Sequence, residues 1–184
     1  MEKAKSIFSN VLNWLKAHLV PVIAVVVAVI LIILLACTLI KTPKKVVKAY
    51  IKAFNNGNAS KIVKLTDLKA QRVLGYVSKN FDKEDYDDFI EDYKDYDDEI
   101  DADDIKERLE DSFDKIKDDY KSYKLSVDEF KSVKKIGKDF YLVKVKLSIV
   151  AKPKDKDEDK IDETETVYFA VYKNKMATGM SSIY

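Results

Sequence analysis

The chain is poor in the residues that most often carry chemistry or bend a backbone. Among 184 residues there is one cysteine, Cys37, one histidine, His18, two arginines, Arg72 and Arg108, four glycines and three prolines. One cysteine excludes an internal disulfide and a thiolate metal site, so stability must come from an ordinary core. With His18 ahead of the long apolar run, no histidine-based dyad or triad can form in the remainder of the chain. So few glycines and prolines exclude fibrous and low-complexity classes. Nucleic-acid binding would want basic patches interleaved with arginine and stacking aromatics, and two arginines do not supply them. No nucleic-acid partner and no cofactor are expected.

Charge is plentiful but segregated. The formal net charge is +1, yet residues 82–119 hold 20 acidic against 6 basic residues, a net of −14, and the rest of the chain carries +15. A global isoelectric argument is therefore empty.

Residues 22–40 are nineteen in a row without a charge, dominated by Val, Ile and Leu. At 1.5 Å per residue they reach roughly 28 Å, close to the hydrocarbon thickness of a bilayer. Ahead of them Ile7, Phe8, Val11, Leu12, Leu15 and Leu19 recur at helical spacing, with Trp14 near the expected interface. This describes a short amphipathic tail, residues 1–20, leading into a transmembrane helix, residues 21–40. Leu34-Leu35-Ala36-Cys37 also has the look of a lipobox, so the alternative is a signal peptide ending before Cys37 and a lipid attached to that cysteine. Thr38, Leu39 and Ile40 continue the apolar run past the cysteine, and the tail is longer than a secretory n-region; both favour a retained anchor. Lys3, Lys5 and Lys16 precede the run and Lys41, Lys44, Lys45, Lys48 and Lys52 follow it, a count that alone would put the large domain in the cytoplasm.

Residues 41–184 read as one α+β domain. Thr42-Pro43 is a helix start, with a hydroxyl cap and proline at the first position. Val46, Val47, Tyr50, Ile51 and Phe54 make its apolar face, and Asn55-Asn56-Gly57 ends it. A second short helix has Ile62, Val63 and Leu65 inward, and residues 68–77 continue as helix or ordered loop. Through the acidic stretch, Phe89, Ile90 and Tyr93, then Ile105, Leu109, Phe113, Ile116 and Tyr120, return at helical spacing, which predicts two helices with acid on their solvent faces. After Tyr120 the period changes to two. Tyr123, Leu125 and Val127 alternate, as do Tyr141, Val143, Val145, Leu147 and Ile149, and then Val167, Phe169 and Val171. A fourth strand is expected over residues 176–184. Turns fall at 137–139 and 173–175, and residues 152–163 form a longer charged connection.

The stretch TPKKVVKAYIKAFNNGNASKIVKL, residues 42–65, resembles the opening helices of the nuclear-transport-factor-2-like (cystatin-like) superfamily, in particular its small membrane-tethered or lipoprotein members. Pro43, Val47, Tyr50, Ala53, Phe54 and Gly57 match the usual apolar and turn positions, whereas Asn58 replaces the Asp that commonly follows the glycine. The resemblance implies a cone-like domain of helices on a curved four-stranded antiparallel sheet, lying outside the cytoplasm against the lysine count. The acidic insert, residues 82–119, is atypical and would close the cone that forms a pocket in relatives. No activity follows, because those relatives are mostly uncharacterised.

Enzymes of that fold place an acid or base inside the cone, and Asp128 and Glu129 are the strand carboxylates that could serve. Solvent-facing pairing of one or both with neighbouring lysines is the plainer expectation. Residues 92–104 alternate carboxylates but fail the calcium-loop pattern, with Ala102 where the turn glycine belongs and Arg108 where the bidentate glutamate belongs. Weak divalent-cation binding remains the expectation for that stretch. Tyr123, Tyr141, Tyr168 and Tyr172 are the candidate pocket-lining residues, with core packing as the alternative. The sequence thus points to a single-pass, membrane-anchored, extracytoplasmic binding or interaction module. It would be non-catalytic, with the bilayer and an unspecified protein or small-molecule ligand as partners.

Overall fold

The computed structural model describes residues 42–75 and 77–178. The expected amphipathic tail, transmembrane helix and Cys37 lie outside the described residues, as does the fourth strand beyond residue 178. No helix among the described residues is long and apolar enough to cross a membrane.

The domain is α+β, with five helices preceding a curled four-stranded antiparallel sheet in the order β1-β2-β3-β4. The helices are α1 (Pro43–Asn55), α2 (Ala59–Leu65), α3 (Leu68–Leu74), α4 (Lys83–Asp95) and α5 (Ala102–Asp119). The strands are β1 (Tyr120–Gly137), β2 (Phe140–Pro153), β3 (Ile161–Tyr172) and β4 (Lys175–Met176).

Local chemistry starts and stops each helix. Thr42 caps α1 through its hydroxyl, with Pro43 at the first position, and Gly57, at φ 58°, turns the chain away after it. Asn58, Asp67, Asp82 and Asp101 accept from backbone N–H groups at the starts of α2, α3, α4 and α5. Asp82 and Asp85 form a reciprocal capping box, with negative charge at the positive end of the helix dipole.

The strands run longer than the alternation suggested, so the charged connection shrinks to residues 154–160. Two-residue hairpin turns match the expected positions, with Asp139 at φ 56° in one and Lys173 and Asn174 at φ 46° and 62° in the other. The β1–β2 register shifts at four places, and such bulges add twist and curl to a long strand pair. The expected fourth strand begins with β4, which pairs with β3 at Lys175 and Met176; in the same register Ala177 donates its N–H to the Ala170 carbonyl at 2.8 Å, and the Thr178 hydroxyl accepts from the Ala170 N–H at 3.1 Å.

Register divides the core into two layers on opposite faces of the sheet. Tyr141 opposes Val171, Val143 opposes Phe169 and Val145 opposes Val167, so these share one face. Helix α1 touches all four strands across that face, which is therefore the inside of the curl. Val47, Ile51, Ile62 and Phe113 complete this inner core with Leu125 and Leu147. On the outer face Phe140 opposes Tyr172 and Leu142 opposes Ala170, and these pack with Ala70, Phe81, Tyr86 and Phe89. The two acidic helices thus part company: Phe89 and Tyr86 anchor α4 to the outer layer, while Leu109, Phe113 and Ile116 anchor α5 to the inner one. Each fully buried Phe or Leu contributes about 1.5–3 kcal/mol, enough to hold helices whose surface charges repel.

Candidate functional site

The inside of the curl is where a cone-like fold would hold a ligand. Here it is occupied. Val47, Val143, Val145, Leu147 and Phe169 are completely inaccessible, and α5 lays Phe113 edge-on against Phe54 of α1, with ring centroids 5.2 Å apart and planes at 71°. The acidic insert fills the mouth with its own apolar face.

The four candidate tyrosines do not line one cavity. Tyr123 and Tyr141 lie on the inner face, whereas Tyr168 and Tyr172 lie on the outer one. Tyr123 opposes Ala151, ten residues along β2 from Tyr141, a separation of roughly 33 Å at strand rise. Tyr168 faces Lys144, whose Nζ sits 5.4 Å from the ring centroid, and Tyr172 belongs to the outer aromatic layer with Phe89 and Phe140. Asp128 and Glu129 are both exposed. Asp128 accepts from the Ser148 hydroxyl rather than pairing with a lysine, and Glu129 opposes Lys146 across the ladder.

Two surface concavities are lined by described residues. One, of about 220 Å³, is lined by Phe54, Phe113, Ile116, Tyr120 and Tyr123, with Lys117 and Lys121 at its rim. Tyr123 is the only candidate tyrosine among its lining residues. The second, of about 520 Å³, lies between α3, the α4–α5 connection and the start of α5. It collects both arginines of the chain, Arg72 and Arg108, with Glu99, Asp101 and Asp104, over Leu68, Ile100 and Ile105. Neither guanidinium is ion-paired among the described residues. The Asp101 carboxylate accepts from the N–H groups of Asp103 and Asp104 as the α5 cap. The scarcity of arginine was the signal that could have singled out this place; the spatial meeting of α3 and α5 was not readable.

On the outer face Tyr93 of α4 donates its hydroxyl to Asp67 Oδ2 at 3.3 Å, with Lys69 and Lys173 Nζ at 4.9 and 5.1 Å from its ring centroid. Burial raises the Tyr93 pKa, the Asp67 charge raises it further, and Lys173 opposes them. The Lys173 pKa is also raised, chiefly by hydrogen bonding to the Tyr172 side chain, against a lowering by burial.

Charge segregation persists in three dimensions. The ion pairs among the described residues are local: Lys83–Asp87, Lys106–Glu110 and Lys117–Asp114 within the acidic helices, and Lys160–Asp162 beside β3. Lys44 and Lys48 of α1 place Nζ 5.6 and 5.4 Å from the ring centroid of Phe130 on β1. No group of three or more His, Cys, Asp or Glu side chains poised to hold a metal ion occurs among the described residues.

No protein-family model, curated protein or solved structure matches the chain.

Proposed function

We propose that the protein is a membrane-anchored, extracytoplasmic binding or interaction module that works through its surface rather than through an enclosed reaction chamber. The observation that carries this reading is the packed inner face. Catalysis in a cone needs room for a substrate beside a buried acid or base, and here Phe113, Val143, Val145, Leu147 and Phe169 take that room. Asp128 and Glu129, the carboxylates that could have served, face solvent. Helices followed by a curled antiparallel sheet is also the arrangement that the nuclear-transport-factor-2-like resemblance implies, and we retain that superfamily as our assignment.

The anchor rests on the nineteen uncharged residues 22–40. Leu34-Leu35-Ala36-Cys37 favours a second reading, a cleaved lipoprotein acylated at Cys37 that carries the same domain. Intact mass of the membrane-extracted protein separates the two. The anchor reading requires the first 36 residues to be retained; their loss, with a diacylglyceryl adduct on Cys37, would replace it by the lipoprotein reading.

A further inference from the structure

We propose that the surface built from α1 and the second half of β1 docks on anionic lipid head groups. The inference rests on the reading that residues 22–40 enter a bilayer, and it adds which face of the domain meets that bilayer.

Lys44 and Lys48 stand one turn apart on α1, both exposed, both over the Phe130 ring. Phe130 opposes Val145 and Val133 opposes Val143, so Phe130 and Val133 share the inner sheet face on the edge strand beside α1. Lys135, opposite Tyr141, extends the same face. Val133, 37% accessible, is the exposed large hydrophobic residue among those described. None of the three lysines has a carboxylate partner among the described residues, although the chain holds twenty acidic residues in one stretch. The carboxylates nearest in sequence on β1 are Asp128, engaged by Ser148, and Glu129, opposite Lys146 on the outer face.

An exposed valine on the same sheet face as the Phe130 ring, with Lys44 and Lys48 over that ring and Lys135 two residues on, suits the head-group layer, where phosphates meet the lysines and the valine reaches the acyl boundary. Sequence position selects lipid over other polyanions. Lys44 and Lys48 follow the apolar run by only four and eight residues, within the span where a membrane-entering segment holds its flanking lysines near the surface. The acidic helices of a second copy are the competing occupant, and the test separates them.

The domain Thr42–Tyr184 forms a compact unit with its own core and contains no cysteine, so Val133→Cys accepts a single environment-sensitive dye. Its binding is measured by sedimentation with phosphatidylcholine vesicles, with or without phosphatidylglycerol. The full chain carrying Val133→Cys in a Cys37→Ser background is then placed in nanodiscs of both compositions. Phosphatidylglycerol should blue-shift the dye and sediment the domain, phosphatidylcholine and inorganic phosphate should do neither, and salt should reverse the effect. Each lysine is expected to contribute about fivefold to partitioning, so K44E/K48E/K135E should lower it by more than about a hundredfold. K61E/K64E/K156E, with the same charge change elsewhere, should stay close to the parent.

Equal dye spectra in both lipids, or equal losses in the two triple variants, would overturn the proposal. So would a dye shift with dimerisation in the absence of lipid, which would assign the face to a second copy. Failure of the anchor reading appears separately, as a full chain that does not co-purify with nanodiscs; vesicle sedimentation of the domain then decides docking alone.

Discussion

The side chain of Asn55 completes the edge of the sheet at Leu125: its Nδ2 donates to the Leu125 carbonyl at 2.7 Å and its Oδ1 accepts from the Leu125 N–H at 2.8 Å. Edge strand β1 would otherwise present both groups to solvent or to another strand. The last residue of α1 therefore plays the part of a neighbouring strand. Asn55→Ala should cost about 1–3 kcal/mol in denaturant unfolding, and amide exchange at Leu125 should accelerate more than at residues further along β1. Unchanged stability and exchange would show that the paired contacts carry no weight.

Tyr86 fixes α4 to the β1–β2 hairpin. Its ring covers Gly137 so closely that a Cβ there would overlap ring atoms, and its hydroxyl donates to the Lys138 carbonyl at 3.2 Å. Gly137→Ala should destabilise by about 1–3 kcal/mol through overpacking. In a Tyr86→Ala background the same substitution should cost much less, and a double-mutant cycle measures the difference as coupling. Additive effects would mean that the ring and the glycine are independent.

Phe113 is the fastening of α5. Its removal leaves a hole against Phe54 and exposes the inner core, so Phe113→Ala should lose about 3–5 kcal/mol. Circular dichroism and limited proteolysis should show α5 released first.

At high pH the Tyr93–Lys173 corner should weaken. Both groups have raised pKa values, so each stabilises the fold while protonated, fully below its ordinary value of 10.0 or 10.5, with loss as pH rises through the folded value. Melting temperature should fall more steeply above pH about 10 in the parent than in Tyr93→Phe, which lacks the ionising phenol. Ultraviolet titration should show one tyrosine ionising late in the parent and missing in the variant.

Residues 82–119 carry a net −14 and, among the described residues, only local ion pairs, so the mutual repulsion of their carboxylates is left to solvent and mobile ions. Thermal melts should rise gradually with sodium chloride and somewhat more with calcium, without a saturable transition. A sharp micromolar calcium transition would reveal a defined site; no response to either ion would reveal neutralisation by lysines after all.

The elements whose evidence is periodicity or local chemistry were legible: Thr42-Pro43 at the head of α1, the paired acidic helices, and three strands of alternating Val, Leu and Phe. What was not legible depends on which distant surfaces meet. Phe89 and Phe113 look alike in sequence, yet they bury on opposite faces of the sheet. Tyr123, Tyr141, Tyr168 and Tyr172 share strand character, but alternation separates Tyr141 from Tyr168 and Tyr172, and ten residues of β2 separate it from the partner of Tyr123. Asn55 read as a helix stop and proved to be a strand cap. Arg72 and Arg108 are 36 positions apart and meet only because α3 and the start of α5 flank one concavity.

Protease accessibility in intact protoplasts tests the central claim, an anchored domain outside the cytoplasm, most directly. The exposed connection 154–160 holds Lys154, Lys156 and Lys160, which trypsin can cut without unfolding the core. With the membrane intact, added trypsin should nick the domain there while a cytoplasmic marker survives, and the N-terminal fragment should stay with the membrane. Protection of the 154–160 connection until detergent opens the membrane would contradict the account and restore the orientation given by the lysine count.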